Sequence, residues 1–224
     1  MIYLIFIVIA VLSFAVQQSL SSKFRQYSRV PLNGYMTGRD VALKMLHDNG
    51  IYDVQVTGTP GMLTDHYNPV TKTVNLSQGV FGTNSVTAAA VAAHECGHAI
   101  QHARGYAPLR LRSALVPAVN FASQWMSWIL LLGIILVQSM PIVLELGVAL
   151  FALTTLFSFV TLPVEVDASR RAVQWLQSAG ITDSHLTPIA SSVLHSAAYT
   201  YVVAALGSLA TLVYYAMILL GRRD

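Results

Sequence analysis

Four long apolar stretches constrain the fold of this chain more than any other feature of its sequence. They cover roughly residues 2–20, 115–137, 141–162 and 197–220, and a helix needs about 20 apolar residues to span a bilayer. Only 10% of the 224 residues are charged, against about 25% in an ordinary soluble domain. We therefore predict a mainly α-helical integral membrane protein with about four transmembrane helices, forming one membrane-embedded domain over residues 1–224.

The basic residues predict which side of the membrane each loop faces. The two loops, at about residues 21–114 and 163–196, contain every lysine and arginine except Arg222 and Arg223. Cytoplasmic loops carry an excess of Lys and Arg, so we expect both loops in the cytoplasm and both termini outside. No basic residue precedes the first apolar stretch, which we interpret as an anchor in the cell membrane rather than a cleaved signal peptide.

Charge and cysteine content exclude three structural features. The net charge of +3 is small and its basic residues are scattered, which excludes a nucleic-acid surface and fits loops that face the anionic lipid of a bilayer. The single cysteine, Cys96, excludes an internal disulfide bond and a cysteine-based zinc knuckle.

The first loop carries the signals of a small folded unit. The spacing of apolar residues in Thr37–Asn49 predicts a short amphipathic helix. Alternating apolar residues and two proline-containing turns between residues 52 and 77 predict two or three short strands in a small sheet. Asn84 and Ser85 can cap a further helix that runs from Thr87 to about Arg104.

The run AAHECGHAIQH lies in that last helix and carries a metal-binding pattern. His94 and His98 are one helical turn apart, so both imidazoles can reach one ion, and Glu95 is placed to touch a water on that ion. This is the HExxH arrangement of zinc metalloproteases. His102 continues the same face and is expected beside the site or at the surface, and Cys96 is expected to pack away from it. The alternative is a helix whose polar residues form hydrogen bonds with other protein groups and bind no metal.

A catalytic zinc ion needs a third protein ligand and an open position for water. The chain has only three glutamates, Glu95 among them. Glu145 falls at the outer end of the third stretch, whereas Glu165 follows it on the cytoplasmic side, where Pro163 suits the first turn of a helix. Asp167 is the rival ligand, and either carboxylate could instead pair with the arginines at 170 and 171.

Four segments resemble a known family. YNPVTKTVNLS, HECGHAIQH, LPVEVDASRRA and AAYTYVVAAL are similar to segments of the YugP-type membrane zinc metallopeptidases, distant relatives of the HtpX and prenyl-protein (CAAX) proteases. The resemblance covers Lys23–Leu206, nearly the whole chain. It implies a zincin-like unit with zinc bound by His94, His98 and Glu165, and Glu95 as the catalytic residue.

The chain departs from the wider group at one position. Four residues after the ligand glutamate the wider group tends to have aspartate, and here that position is Ser169. The departure concerns the support of a ligand and leaves the expected zinc ligands unchanged.

The expected function is that of a zinc-dependent membrane endopeptidase. It would cleave membrane or membrane-proximal proteins at the cytosolic face, with Glu95 as general base on a zinc-activated water. A further donor to the oxyanion is expected from Tyr201, ranked first, or from His195 or His66, although each is also a common kind of interfacial residue. An exposed edge strand, Thr71–Ser77, is expected to pair with an extended peptide substrate, with a purely structural hairpin as the alternative.

Three other functions are weighed against this one. A site-2-type intramembrane protease also uses HExxH, but it places the motif in a transmembrane helix and adds an LDG motif, which this sequence lacks. A zinc-holding scaffold or adaptor would not need Glu95. A transporter is disfavoured because the apolar stretches contain almost no ionisable residues apart from Glu145. A regulatory membrane partner or a homo-oligomer is compatible with the endopeptidase.

Overall fold

A computed structural model describes residues 2–221. It contains seven helices and three strands within these residues. In chain order they are α1 (Ile2–Tyr27), α2 (Gly38–Asp48), β1 (Gln55–Thr59), β2 (His66–Asn68), β3 (Thr73–Ser77), α3 (Gln78–Phe81), α4 (Val86–Ala103), α5 (Ala107–Ile135), α6 (Pro141–Ser178) and α7 (Leu186–Leu220). The predicted combination of apolar helices with a small sheet is confirmed.

The chain divides into two compact units. We call Val16–Leu109 together with Pro163–Tyr199 the metal unit, because it contains the HExxH motif. The remainder, which includes Arg110–Leu162, is called the membrane unit. Helices α1, α5, α6 and α7 are long and apolar enough to cross a bilayer.

Close helix packing characterises the membrane unit. A Cβ atom added to Gly133 on α5 would lie 2.6 Å from Cα of Leu144 on α6, and one added to Gly147 would lie 2.8 Å from the side chain of Leu130. Small residues of this kind let the backbones of membrane helices approach closely. The ring of Phe151 on α6 meets that of Tyr215 on α7 edge to face, with centroids 5.9 Å apart.

Helix α6 continues well beyond the apolar stretch predicted at residues 141–162. Helix α6 runs without a break from Pro141 through Pro163 to Ser178. The expectation that Pro163 begins a new helix is therefore wrong. A proline inside a helix removes one backbone hydrogen bond, but it does not end this one, and Glu165 is carried on the continuation of a long apolar helix.

The small sheet has the strand order β1-β3-β2. Strand β3 pairs in parallel with β1 over Gln55–Thr59 and antiparallel with β2 over His66–Asn68. The prediction that Thr71–Ser77 forms an exposed edge strand is wrong, because β3 is the central strand and its backbone is paired on both sides. Hydropathy alternation reveals strands but not their order.

Capping residues fix the two helices of the first loop. Thr37 caps α2 in a capping box with Asp40, and Gly50 follows the helix with a positive φ of 73°. Ser85 caps α4 and accepts from the backbone N–H of Ala88 at 3.1 Å. Asn84 does not cap the helix; its side chain accepts from the backbone N–H of Leu32 and donates to the carbonyl of residue 34. Both predicted helices are confirmed.

The core of the metal unit surrounds α4. It is built from one face of α2, the inward side chains of β3, the alanine-rich start of α4, and residues of α6 and α7. Val41, Met45, Val74, Leu76 and Leu176 are all completely buried. Helix α4 is therefore covered on several sides, and its polar residues are held in an apolar setting.

Candidate metal centre

Helix α4 holds the HExxH residues in a buried position. His98 and Glu95 are 8% exposed, and Cys96 is completely buried. The Cys96 thiol packs toward α2, with its sulfur 3.5 Å from the carbonyl oxygen of Ala42. The expectation that Cys96 has a packing role is confirmed, and burial raises the pKa of its thiol well above the usual value.

A glycine allows α4 to lie directly against α6. A Cβ atom added to Gly97 would lie 2.7 Å from the carbonyl oxygen of Ala168 and 3.1 Å from its Cα atom. No side chain fits in this space, since real Cβ contacts are longer than 3.0 Å. Gly97 lies between His94 and His98 on α4. Ala168 lies three residues after Glu165 on α6. This contact therefore sets the distance across which the three side chains meet.

His94, His98 and Glu165 form a group that could hold a metal ion. Oε2 of Glu165 lies 3.3 Å from Nε2 of His94 and 3.6 Å from Nε2 of His98, and all three donor atoms lie within 4.8 Å of one another. Two ligands bound tetrahedrally to zinc at about 2.0–2.2 Å are separated by roughly 3.3–3.5 Å. The spacing, the donor types and the count of three therefore fit a zinc ion with one open position.

The orientation of the His98 ring is fixed by Gln101, which is completely buried. Nε2 of Gln101 donates to the carbonyl oxygen of Val164 at 2.8 Å and to Oδ2 of Asp167 at 3.0 Å. Both partners are acceptors, so the amide can have only one orientation. Its Oε1 then accepts from Nδ1–H of His98 at 3.0 Å, which leaves Nε2 of His98 facing Glu165 as the metal-binding nitrogen.

Ser169 plays the corresponding part for His94. Its Oγ lies 3.1 Å from Nδ1 of His94, so Nε2 is again the nitrogen that faces Glu165. Serine thus occupies the position at which the wider group tends to have aspartate, and it contacts a candidate ligand. Support for this ring comes from a neutral hydroxyl in place of a carboxylate.

Asp167 is not a member of the group of three donor residues. Its carboxylate accepts from Arg170 and from Arg171, each at 2.5 Å, and from Gln101. Both arginines therefore pair with Asp167. Asp167 is a positioning residue that acts on His98 through Gln101.

The charges of the site favour a cation at its centre. Burial lowers the pKa of His98, but the hydrogen bond and the negative charge of Glu165, with a further contribution from Glu95, outweigh burial and raise it above the usual value. The negative charges of Glu165 and Glu95 that raise this pKa would also stabilise a metal cation beside His98.

The other predicted residues lie on α7, β2 and the end of α4. His195 is exposed on α7 within the metal unit, with Nδ1 3.4 Å from Oγ of Ser191. Tyr201 lies farther along α7, in the membrane unit. His66 is exposed on β2, where Nδ1 contacts the carbonyl oxygen of Thr64. His102 bonds through Nδ1 to the hydroxyl of Tyr67 at 2.8 Å. Tyr201 and His195 stay predictions for the oxyanion donor.

Sequence reasoning missed Gln101 altogether. The signal that was present is its spacing, because a residue three positions after His98 lies on the same helical face. A glutamine at that spacing on a helix expected to be buried has to find partners for both ends of its amide. That requirement points to a structural role beside the histidine.

Comparison with known proteins agrees with this geometry. The sequence profile of a family described as "Putative neutral zinc metallopeptidase" matches residues 2–220. The chain is 43% identical over 222 residues, 98% of both sequences, to "Putative membrane protease YugP" of Bacillus subtilis (strain 168). No solved structure matches it. Since both matches extend over nearly its whole length, the chain belongs to the neutral zinc metallopeptidase family and is a homologue of a membrane protease.

Proposed function

We propose that this protein is a zinc-dependent membrane endopeptidase in which His94, His98 and Glu165 bind the metal and Glu95 is the general base. The observation that carries the proposal is the meeting of these three ligand side chains, within 4.8 Å, in a member of a zinc metallopeptidase family. When bound, zinc supplies Lewis-acid chemistry, lowering the pKa of water at its open position from 15.7 to about 7 and polarising the scissile carbonyl.

The protein's own side chains move the proton. The Glu95 carboxylate accepts a proton from the attacking water while the oxygen of that water bonds to the scissile carbonyl carbon. The same carboxyl then donates that proton to the nitrogen of the leaving amine as the peptide bond breaks. Gln101 and Ser169 hold the two imidazoles with Nε2 toward the ion throughout, because each bonds to the corresponding Nδ1.

We place the site on the cytoplasmic side of the membrane. The support is the distribution of basic residues, since all 11 lysines and arginines of the chain before residue 222 lie in the two loops that form most of the metal unit. The substrates are then membrane or membrane-proximal proteins whose peptide segments reach that surface. The alternative of a site-2-type intramembrane protease has no specific observation in its favour.

The test separates metal binding from catalysis. Glu95→Gln should leave the zinc content of the purified protein near that of the wild type, while peptide cleavage falls by about 10²–10⁴-fold or more, as expected when a general base is lost. His94→Ala and His98→Ala should lower the zinc content itself. Cleavage at the full rate by Glu95→Gln would refute the assignment of the base, and a zinc-loaded wild type that cuts nothing would favour a scaffold.

A further inference from the structure

A cavity of about 310 Å³ lies between the parts of α6 and α7 that belong to the metal unit. Its walls are largely apolar, with Val166 and Val173 on α6 and Leu194 and Ala198 on α7. The volume is at the lower end of the range of roughly 300–1,000 Å³ found for small-molecule sites. It is large enough for one bulky amino-acid side chain together with some solvent.

The cavity lies beside the candidate metal centre, because one residue belongs to both. Ser169 lines it and also contacts Nδ1 of His94 at 3.1 Å. Val166, another lining residue, directly follows Glu165 in the chain. Consecutive residues of an extended peptide are about 3.3–3.6 Å apart along the chain. A cavity that shares a lining residue with the support of His94 is within reach of a side chain near the scissile bond of a peptide held at the metal.

Two of the polar side chains around the cavity, Arg170 and His195, already have partners. Arg170 is paired with Asp167 at 2.5 Å, and His195 contacts the hydroxyl of Ser191. A charged side chain entering the cavity would lose its hydration and would have to compete for these groups. An apolar side chain loses nothing of this kind and gains the contact of four aliphatic residues.

We infer that this cavity is a specificity pocket that accepts one large apolar side chain, such as that of leucine or phenylalanine, next to the scissile bond. The inference rests on the proposed peptidase function and adds a substrate class to it. Ala198 and Val173 set the depth of the pocket, so the size of these two side chains determines which residue is preferred.

The experiment uses the full-length, zinc-loaded protein in lipid nanodiscs, with unfolded β-casein as the probe substrate and mass spectrometry of the new termini as the readout. The wild type should show large apolar residues enriched at one fixed position beside the cleaved bond. Ala198→Phe fills the cavity and should shift the ratio of large to small residues at that position by about 10-fold toward alanine and glycine, since one methylene alters discrimination by about 10–200-fold. Val173→Ala should shift the ratio the other way.

Tyr199→Trp is the matched control, because Tyr199 is 60% exposed and does not line the cavity. Its cleavage profile should equal that of the wild type. Zinc content checks the folding of each variant, and Val173→Ala keeps the test valid if Ala198→Phe does not fold.

Three outcomes would overturn the inference. A wild type that cuts casein without an apolar preference, or with one that neither variant changes, would refute the pocket while leaving the peptidase function intact. The cavity would be assigned to lipid if Ala198→Phe left the residue preference unchanged but lost a lipid chain that the purified wild type retains. A zinc-loaded wild type that cuts nothing would refute the proposed function and the pocket with it.

Discussion

At the scale of single residues, the site depends on buried hydrogen bonds that hold the ligands in place. The buried amide of Gln101 forms hydrogen bonds to His98, to the backbone carbonyl of Val164 and to the carboxylate of Asp167. Partners of this kind fix the tautomer and orientation of a ligating histidine. Most of the precision of the site therefore comes from residues that do not touch the metal.

Replacing Gln101 by leucine should weaken zinc binding by about 10–100-fold, the usual effect of losing such a partner. It should also destabilise the protein by about 1–3 kcal/mol, because the buried carbonyl of Val164 loses its donor. Competition with a chelator and thermal unfolding measure the two effects. Gln177→Leu, at an exposed position on α6, is the control. Unchanged zinc affinity in Gln101→Leu would show that His98 is oriented by other contacts.

The carboxylates of Glu165 and Asp167 should differ in what they control. Glu165→Ala should remove zinc and abolish cleavage, since Oε2 of Glu165 faces both histidines. Asp167→Asn should keep the metal and lose about 10–100-fold in activity or affinity at most, because it acts through Gln101. Metal analysis of the two purified variants decides between them. Zinc retained in Glu165→Ala but absent from Asp167→Asn would reverse the assignment.

At the scale of secondary-structure elements, the site exists because α4 and α6 touch at Gly97 and Ala168. Two of the three candidate ligands come from α4, and the third, Glu165 on α6, follows His98 by more than 60 residues in the chain. Even one methyl group added at this contact would push the two helices apart and move Glu165 relative to both imidazoles. Small residues on α4 thus serve the metal geometry as well as the core.

Gly97→Ala should therefore weaken zinc binding and destabilise the protein by about 1–3 kcal/mol, the usual cost of adding a methyl group to a close-packed contact. The added Cβ would lie 2.7 Å from a backbone oxygen that cannot rotate away. Gly79→Ala, where a Cβ would have no neighbour within 4 Å, is the control and should have little effect. Zinc content and unfolding temperature that match the wild type in Gly97→Ala would contradict this account of the contact.

At the scale of the whole molecule, orientation in the membrane decides which proteins can reach the site. Single cysteines placed at Ser21 and Ser178 on a Cys96→Ser background should be protected from an impermeant reagent applied to intact cells, because both lie in the loops predicted to be cytoplasmic. A cysteine at Asp224 should react. Asp224, with Arg222 and Arg223, lies outside the described residues. In the wild-type protein, which retains Cys96, this buried thiol with its raised pKa should be unreactive while the protein is folded.

Reaction at Ser21 or Ser178 would reverse the topology and move the site to the opposite face. Protection of Asp224 alone would mean that the last apolar stretch does not cross completely. Labelling after permeabilisation provides the control that each cysteine is accessible in principle.

The sequence by itself determined the chemistry and the membrane character of this protein. Hydropathy over about 20 residues is a local property, so the four apolar helices were predictable. The spacing of His94, Glu95 and His98 on one helix is equally local and follows from the helical repeat. Elimination among the three glutamates left Glu165 with Asp167 as its rival, and the resemblance to the zinc metallopeptidases implied Glu165.

Only the tertiary structure decided how these parts meet. The central place of β3 in the sheet, the unbroken course of α6 through Pro163, and the bond from Gln101 to His98 all depend on contacts between residues distant in the chain. Local patterns carry no information about which strand lies between two others or which helix covers a buried amide. Such arrangements are set by the packing of the whole core, where each buried polar group must find its partner.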